Sequence, residues 1–255
     1  MLLLRAFVKF FSKIGDAIFF LKDIIKSLFR QKIRYMEVFN QVYEQGLESV
    51  LIVILTSLSA GIVLALQGHV MMNRFGAKEF VAQLVALSLI RELSPVFTAL
   101  IFSGKAGARI TAELGTMNVN DQVLATRTLG VDPIGFLVTP RFLACLLVLP
   151  VLTIISEVMG ILGGYMVGVF DANIPSTFYL NQTFKAIRFI DFGGGFVKTI
   201  FFSWLVAWIC CYQGFFTRGG SLGVGKFTTK AVALSYIVII ISDMGLTKII
   251  LTLWG

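Results

Sequence analysis

The sequence predicts an all-α integral membrane protein with an N-terminal interfacial amphipathic helix and five transmembrane helices. A short cytoplasmic helix is expected between the second and third spans. Composition is the first ground: of 255 residues, 57% are hydrophobic and only 14% charged, whereas soluble domains carry about 25% charged residues. The second is that breaking the chain at its charges leaves five stretches near or above the ~20 residues a helix needs to cross hydrocarbon. The third is their uniform apolarity, which does not fit the ~10-residue alternating strands of a membrane β-barrel.

The N-terminal element comes first in the chain. Leu4, Phe7, Phe11, Ile14, Ile18, Leu21, Ile25 and Leu28 recur every three or four residues, with Arg5, Lys9, Lys13, Lys22, Lys26 and Arg30 on other faces. A basic amphipathic helix of this kind lies in the membrane interface or docks on the bundle. Lys9, Lys13 and Asp16 interrupt any signal-peptide core. Residues 1–45 are therefore read as an interfacial segment and 46–255 as a five-span membrane domain.

The spans follow. Residues 49–73 and 199–217 contain no Asp, Glu, Lys or Arg; 80–104 contain only Arg91 and Glu92; 142–170 only Glu157; and 231–255 only Asp243 and Lys248. Five spans put the termini on opposite sides. Residues 1–48, 105–141 and 218–230 hold 15 Lys and Arg, against five in 74–79 and 171–198. The positive-inside rule then makes the N-terminus cytoplasmic and the C-terminus external. Small residues at Ser57, Gly61 and Ala65, and at Gly160, Gly164 and Gly168, mark seams where helices approach closely. Whether these seams lie within one subunit or between two is open at this level.

The second span carries the most informative feature. A charge at membrane depth costs roughly 2.5–3.5 kcal/mol on insertion scales, so Arg91 and Glu92 are expected to face a bundle interior or a wet cavity. Pro95 cannot donate its N–H and crowds the carbonyl four residues back, that of Arg91, so a bend with a free carbonyl is expected there. Adjacent helical residues do not face each other, which leaves Glu92 in need of a partner from another span. Lys198 is the candidate. A guanidinium fork suits a phosphate, so Arg91 is read as meeting a lipid headgroup, with Glu92 and Lys198 holding or gating the cavity. The opposing reading is a buried salt-bridge network that only fixes helix packing.

Other chemistry finds little support. Gly220-Ser-Leu-Gly-Val-Gly225-Lys226 has the spacing of a phosphate-binding loop, but Phe227 stands where a magnesium-binding Ser or Thr belongs, and a membrane span precedes it. There is no HExxH and no GxSxG, and the single His69 sits near a span end. Cys145, Cys210 and Cys211 lie in apolar spans without metal-ligand spacing. No catalytic residue, metal site or nucleic-acid partner is expected. Between Thr111 and Pro133 a short polar helix is predicted, with Asn118 or Asn120 as its cap, Gly130 ending it and Pro133 stopping continuation, a segment suited to docking on a cytoplasmic partner.

Several segments together closely resemble the MlaE/YrbE permease family, the membrane subunits of MCE-associated ABC transporters that move lipids across the Gram-negative envelope. They are Leu89-Ile-Arg-Glu-Leu-Ser-Pro-Val, Ser103-Gly-Lys-Ala-Gly-Ala-Arg, Ala112-Glu-Leu-Gly-Thr-Met, Leu129-Gly-Val-Asp-Pro and Thr139-Pro-Arg-Phe-Leu. The likeness runs from about Gly46 to Lys230. It implies a homodimeric permease of the bacterial inner membrane and a cytoplasmic ATPase that holds ATP and magnesium and grips the coupling helix, here about Met117–Leu129. It further implies a periplasmic MCE-domain protein, hexameric in the family, a small cytoplasmic accessory subunit, and a phospholipid cargo. The family's lipid pocket maps onto Arg91, Glu92 and Lys198. The ATPase contact maps onto Met117, Asp121, Gln122, Arg127 and Leu129. Three departures stand out: Ser94 replaces a usual glycine, Lys105 a common arginine, and Asp121-Gln-Val-Leu-Ala-Thr126 an otherwise different hexapeptide. Two alternatives remain: an ABC importer permease for another small solute, distinguished by a soluble binding-protein partner, and an ion-coupled carrier needing no ATP.

Overall fold

A computed structural model describes residues 2–30 and 34–254. Among them the chain forms eight helices and no strand: α1 (Leu2–Arg30), α2 (Tyr35–Arg74), α3 (Lys78–Val119), α4 (Gln122–Thr128), α5 (Ile134–Phe170), α6 (Ser176–Ala186), α7 (Phe189–Phe215) and α8 (Gly220–Trp254). Five of these, α2, α3, α5, α7 and α8, are long and apolar enough to span a bilayer. The expected spans are all present, but each helix outruns its charge-free stretch. At ~1.5 Å per residue, the 40 residues of α2 reach ~60 Å, about twice the ~30 Å hydrocarbon core. Glu37, Glu44 and Glu48 therefore continue the helix beyond hydrocarbon, and α2 is unbroken across residue 45.

The amphipathic helix α1 docks on the bundle by one face. Phe20 packs its ring 5.4–5.8 Å from those of Tyr212, Phe215 and Phe216, Ile24 is buried, and Trp208 Nε1 donates to the Ala17 carbonyl at 2.9 Å. Its other face exposes Ile18, Phe19, Ile25 and Phe29 beside Lys22 and Lys26, which is the interfacial pattern. The side chains of Leu4, Arg5, Phe7, Lys9, Phe11, Lys13, Ile14 and Arg30 lie outside the described residues.

The small-residue seams meet each other within one chain. Ser57 and Ser156 hydroxyls bond at 2.7 Å, and a Cβ on Gly61 would run into the Gly160 carbonyl, as one on Gly163 would into that of Leu58. Lower in the pair, Gly164 and Gly168 of α5 make room for Tyr179 of α6. Its phenol is buried without a hydrogen-bond partner among the described residues. Burial pushes it up to about 12.

At the end where α2 begins, charges join three helices. Arg109 of α3 reaches Glu44 and Glu48 of α2 at 2.9 and 2.5 Å, and Glu113 at 2.7 Å. Glu113 also takes Arg141 of α5 at 3.1 Å. Lys105 donates to the Glu48 carbonyl.

Here too lies the short helix α4, and two expectations need correcting. Helix over Met117–Leu129 is interrupted: Met117 belongs to α3, the chain turns at Asn120 and Asp121, and α4 covers only Gln122–Thr128. Neither Asn118 nor Asn120 caps it. Asp121 holds the N-cap position in the left-handed region, with φ 57°, while the Asn118 amide is spent on the Thr217 carbonyl at 2.8 Å. Gly130, at φ +77°, does end it. Gly220–Lys226 form the first turns of α8 and no phosphate-cradling loop.

Gly61→Ala wedges a methyl into the α2–α5 seam, and overpacking of this kind costs about 1–3 kcal/mol. The expected result is a clear drop in the thermal unfolding midpoint of the detergent-solubilised protein. Gly225→Ala, where nothing lies within 4 Å of the new Cβ, should leave it unchanged or slightly raised.

Candidate functional site

The site forms where α3, α7 and α8 meet, and its geometry starts from a backbone irregularity. Leu89–Leu93 is a π-helical turn, in which the Ser94 N–H bonds back to the Leu89 carbonyl. In that register the bond that Pro95 cannot make belongs to Ile90, not to Arg91 as α-helical counting suggests. Gly195 of α7 lies directly over the Ile90 carbonyl; any Cβ there would collide with it. The wide turn and the missing side chain bring α7 close against the segment that carries the two charges.

Lys198 is the centre of the arrangement. It is 1% exposed, and its ammonium binds the Glu92 carboxylate, donates to Thr247 Oγ1 at 2.7 Å, and sits 3.1 Å from Asp243 Oδ1. Thr247 in turn donates to Glu92 at 3.1 Å. A buried cation needs such a set, because an unpaired charge away from water is very costly. The expected Glu92–Lys198 partnership is thus present.

Arg91 joins a different acid. Its Nε and Nη2 lie 2.8 and 2.5 Å from Asp191 Oδ1. Asp191 is buried in the first turn of α7, where its other oxygen accepts the Arg188 backbone N–H at 3.3 Å and its charge suits the helix N-terminus. Nη1 is free of partners among the described residues, and the Arg91 side chain is 45% exposed. Arg91, Glu92, Ile190, Asp191, Gly194, Gly195, Lys198, Thr247, Ile250 and Leu251 enclose a cleft of about 90 Å³. With liquid water at ≈ 30 Å³ per molecule, that is room for a small polar group, with apolar residues on one wall.

Sequence reasoning missed Asp191 and Thr247 and left Asp243 unassigned. The signals were positional. Asp191, Gly194, Gly195 and Lys198 share one face of α7 at spacings of three and four, as do Asp243, Thr247 and Leu251 on α8. Glu157, the other intramembrane acid, is buried on α5 next to the Ser57–Ser156 bond and has no hydrogen bond or ion pair among the described residues. The remaining predicted residues sit at the far end of α3. Asp121, Gln122 and Arg127 are exposed, Leu129 is exposed beside Leu124 and Val131, and Met117 packs against the core.

Comparison with known proteins agrees over nearly the whole chain. Residues 38–249 match the family model described as Permease MlaE. A probable ABC transporter permease protein of Rickettsia typhi is 39% identical over 243 residues, covering 95% of this chain and 94% of its own. The intermembrane phospholipid transport system permease protein MlaE of Haemophilus influenzae is 35% identical over 243 residues, 95% of this chain and 93% of its own. Trigalactosyldiacylglycerol 1, a chloroplastic protein of Arabidopsis thaliana, is 32% identical over 226 residues, 89% of this chain and 65% of its own.

Removing one partner of a buried ion set costs about 3–5 kcal/mol, since the other is stranded. Lys198→Met leaves Glu92 and Asp243 facing each other uncompensated, so a large fall in thermal stability in detergent is expected. Adding Glu92→Gln and Asp243→Asn to the same protein removes the stranded charges and should recover most of that loss.

Proposed function

The chain belongs to the MlaE permease family, and from that membership we propose that it moves phospholipid as the membrane subunit of an ATP-driven ABC transporter. It is an ABC transporter permease and a multi-pass membrane protein, a transport component rather than an enzyme. In this reading ATP and magnesium are held by a separate cytoplasmic ATPase that grips α4 and its flanks, with Asp121, Gln122, Arg127 and Leu129 at the contact and Met117 behind them. The permease pairs with a second copy in the inner membrane, N-terminus in the cytoplasm, and exchanges lipid with a periplasmic MCE-domain ring, helping to keep outer-membrane lipids asymmetric. A small cytoplasmic accessory subunit completes the assembly.

One observation carries the reading: a half-exposed guanidinium beside a cleft within the apolar length of α3. Arg91 lies 13 residues in from Lys78, ~20 Å at 1.5 Å per residue. A purely structural ion pair has no need of open space, whereas this one borders a cleft with Ile250 and Leu251 on its wall. The volume suits a headgroup, and the apolar wall suits the start of acyl chains. A freely soluble small solute gains nothing from such a wall. The phospholipid assignment draws on the name of the Haemophilus influenzae relative.

The test is lipid mass spectrometry on the permease purified with its natural partners. Phospholipid is expected at near-stoichiometric amounts, and Arg91→Ala should reduce it by roughly tenfold or more, since a hydrogen bond to a charged group contributes about 1.5–3 kcal/mol. Equal lipid in both proteins, with assembly intact, contradicts the pocket. Transport that ignores ATP and follows a proton gradient selects the ion-coupled alternative.

A further inference from the structure

Helix α6 is held lower on the bundle than a connection between two spans requires. Tyr179 packs into the space left by Gly164 and Gly168 of α5. Those glycines lie six and two residues before the helix ends at Phe170, ~9 and ~3 Å short of that end at 1.5 Å per residue. Two polar bonds fix α6 at this height: Gln83 of α3 donates to Gln182 at 2.7 Å, and the Tyr165 and Ser176 hydroxyls bond at 2.6 Å. At the same height Leu162 and Met166 of α5 are exposed, the surface that a span turns to hydrocarbon. With Tyr179 and Thr183 buried against the bundle, the outward side of α6 carries two stripes. Leu180 and Phe184, four residues apart, form an apolar one, with Phe184 73% exposed. Asn181 and Lys185 form a polar one beside it, and exposed Arg188 follows just past the helix end. Neither Lys185 nor Arg188 forms an ion pair among the described residues, and the nearby Asp191 is taken by Arg91.

We infer that α6 is a second interfacial element, docked on the anionic headgroup layer of the leaflet at the end of the bundle opposite α4. Leu180 and Phe184 enter the acyl boundary, while Lys185 and Arg188 meet lipid phosphates. An interfacial helix sinks its apolar face ~5–10 Å into that boundary, which matches the height at which Tyr179 pins α6. Long cationic side chains at this level run their heads outward to the phosphates, and unpaired Lys and Arg at a membrane surface attract anionic lipid. Phe170, ending α5, and Phe189, opening α7, are both exposed, so apolar anchors flank α6 along the chain. A soluble protein reaches Leu180 and Phe184 at this depth only by displacing lipid, which makes the membrane itself the occupant.

Spin labels test this docking without measuring transport, so the result stands apart from the carrier reading. Cys145, Cys210 and Cys211 are buried, so a nitroxide on Phe184→Cys or Asn181→Cys reports from α6. The full chain with its natural partners is placed in vesicles of equal phosphatidylethanolamine and phosphatidylglycerol. The label at 184 is expected to respond severalfold more to oxygen than to a water-soluble nickel chelate, and the label at 181 the reverse. In vesicles of phosphatidylcholine alone the contrast at 184 should shrink, and adding Lys185→Gln and Arg188→Gln to Phe184→Cys should abolish that dependence on anionic lipid. Greater access of nickel than oxygen at both positions puts α6 in water and overturns the docking. Protection of both positions from both reagents means that a protein covers α6, and overturns it equally. The same contrast in both kinds of vesicle overturns the assignment to anionic headgroups.

Discussion

The buried Lys198 ammonium is the interaction around which the rest of this bundle is arranged. An ammonium taken out of water must be met by acceptors on several sides or lose its proton, and here they come from two other helices. Glu92 arrives from α3, Asp243 and Thr247 from α8. Three spans are thereby held in one register. Ion sets of this kind contribute little net stability over an apolar core. Their effect is to specify which helix faces meet.

Bringing those charges together required space in the backbone. The π turn at Leu89–Leu93 and the glycine at 195 work as a pair. One shifts the orphaned carbonyl to Ile90, the other lets α7 lie against it. On the far side of α3 a similar economy operates: Gly61 of α2 and Gly163 of α5 let backbone carbonyls approach where side chains would hold the helices apart. Lipid tails are as apolar as leucine, so close packing of small residues is a main source of helix association in a bilayer. The α2–α5 pair thus forms a stiff wall against which α3 is held.

α3 also links the two ends of the molecule. Arg91 and Glu92 border the cleft near its start; Arg109 and Glu113, nearer its end, bind Glu44, Glu48 and Arg141 next to the turn into α4. A single helix therefore bears the residues of the candidate site and those beside the candidate coupling segment. The lining at the first end sets two cations, Arg91 and Lys198, against two carboxylates, Glu92 and Asp191.

Much of this was legible in the chain itself. Five spans, a docked amphipathic helix, a short polar helix ended by Gly130, and the meeting of Glu92 with Lys198 all follow from hydropathy, turn chemistry and the cost of a lone charge in hydrocarbon. Those are local or one-body constraints, and a sequence states them directly. The partner of Arg91 was not legible, nor the tying of Asp243 and Thr247 to Lys198, nor the shift of the free carbonyl from Arg91 to Ile90. Asp191 reads as an ordinary acid in a helix's first turn, and Asn118 as a cap until Thr217 claims its amide. Each depends on which faces of separate helices come together, a relation among distant residues that only the packed bundle decides.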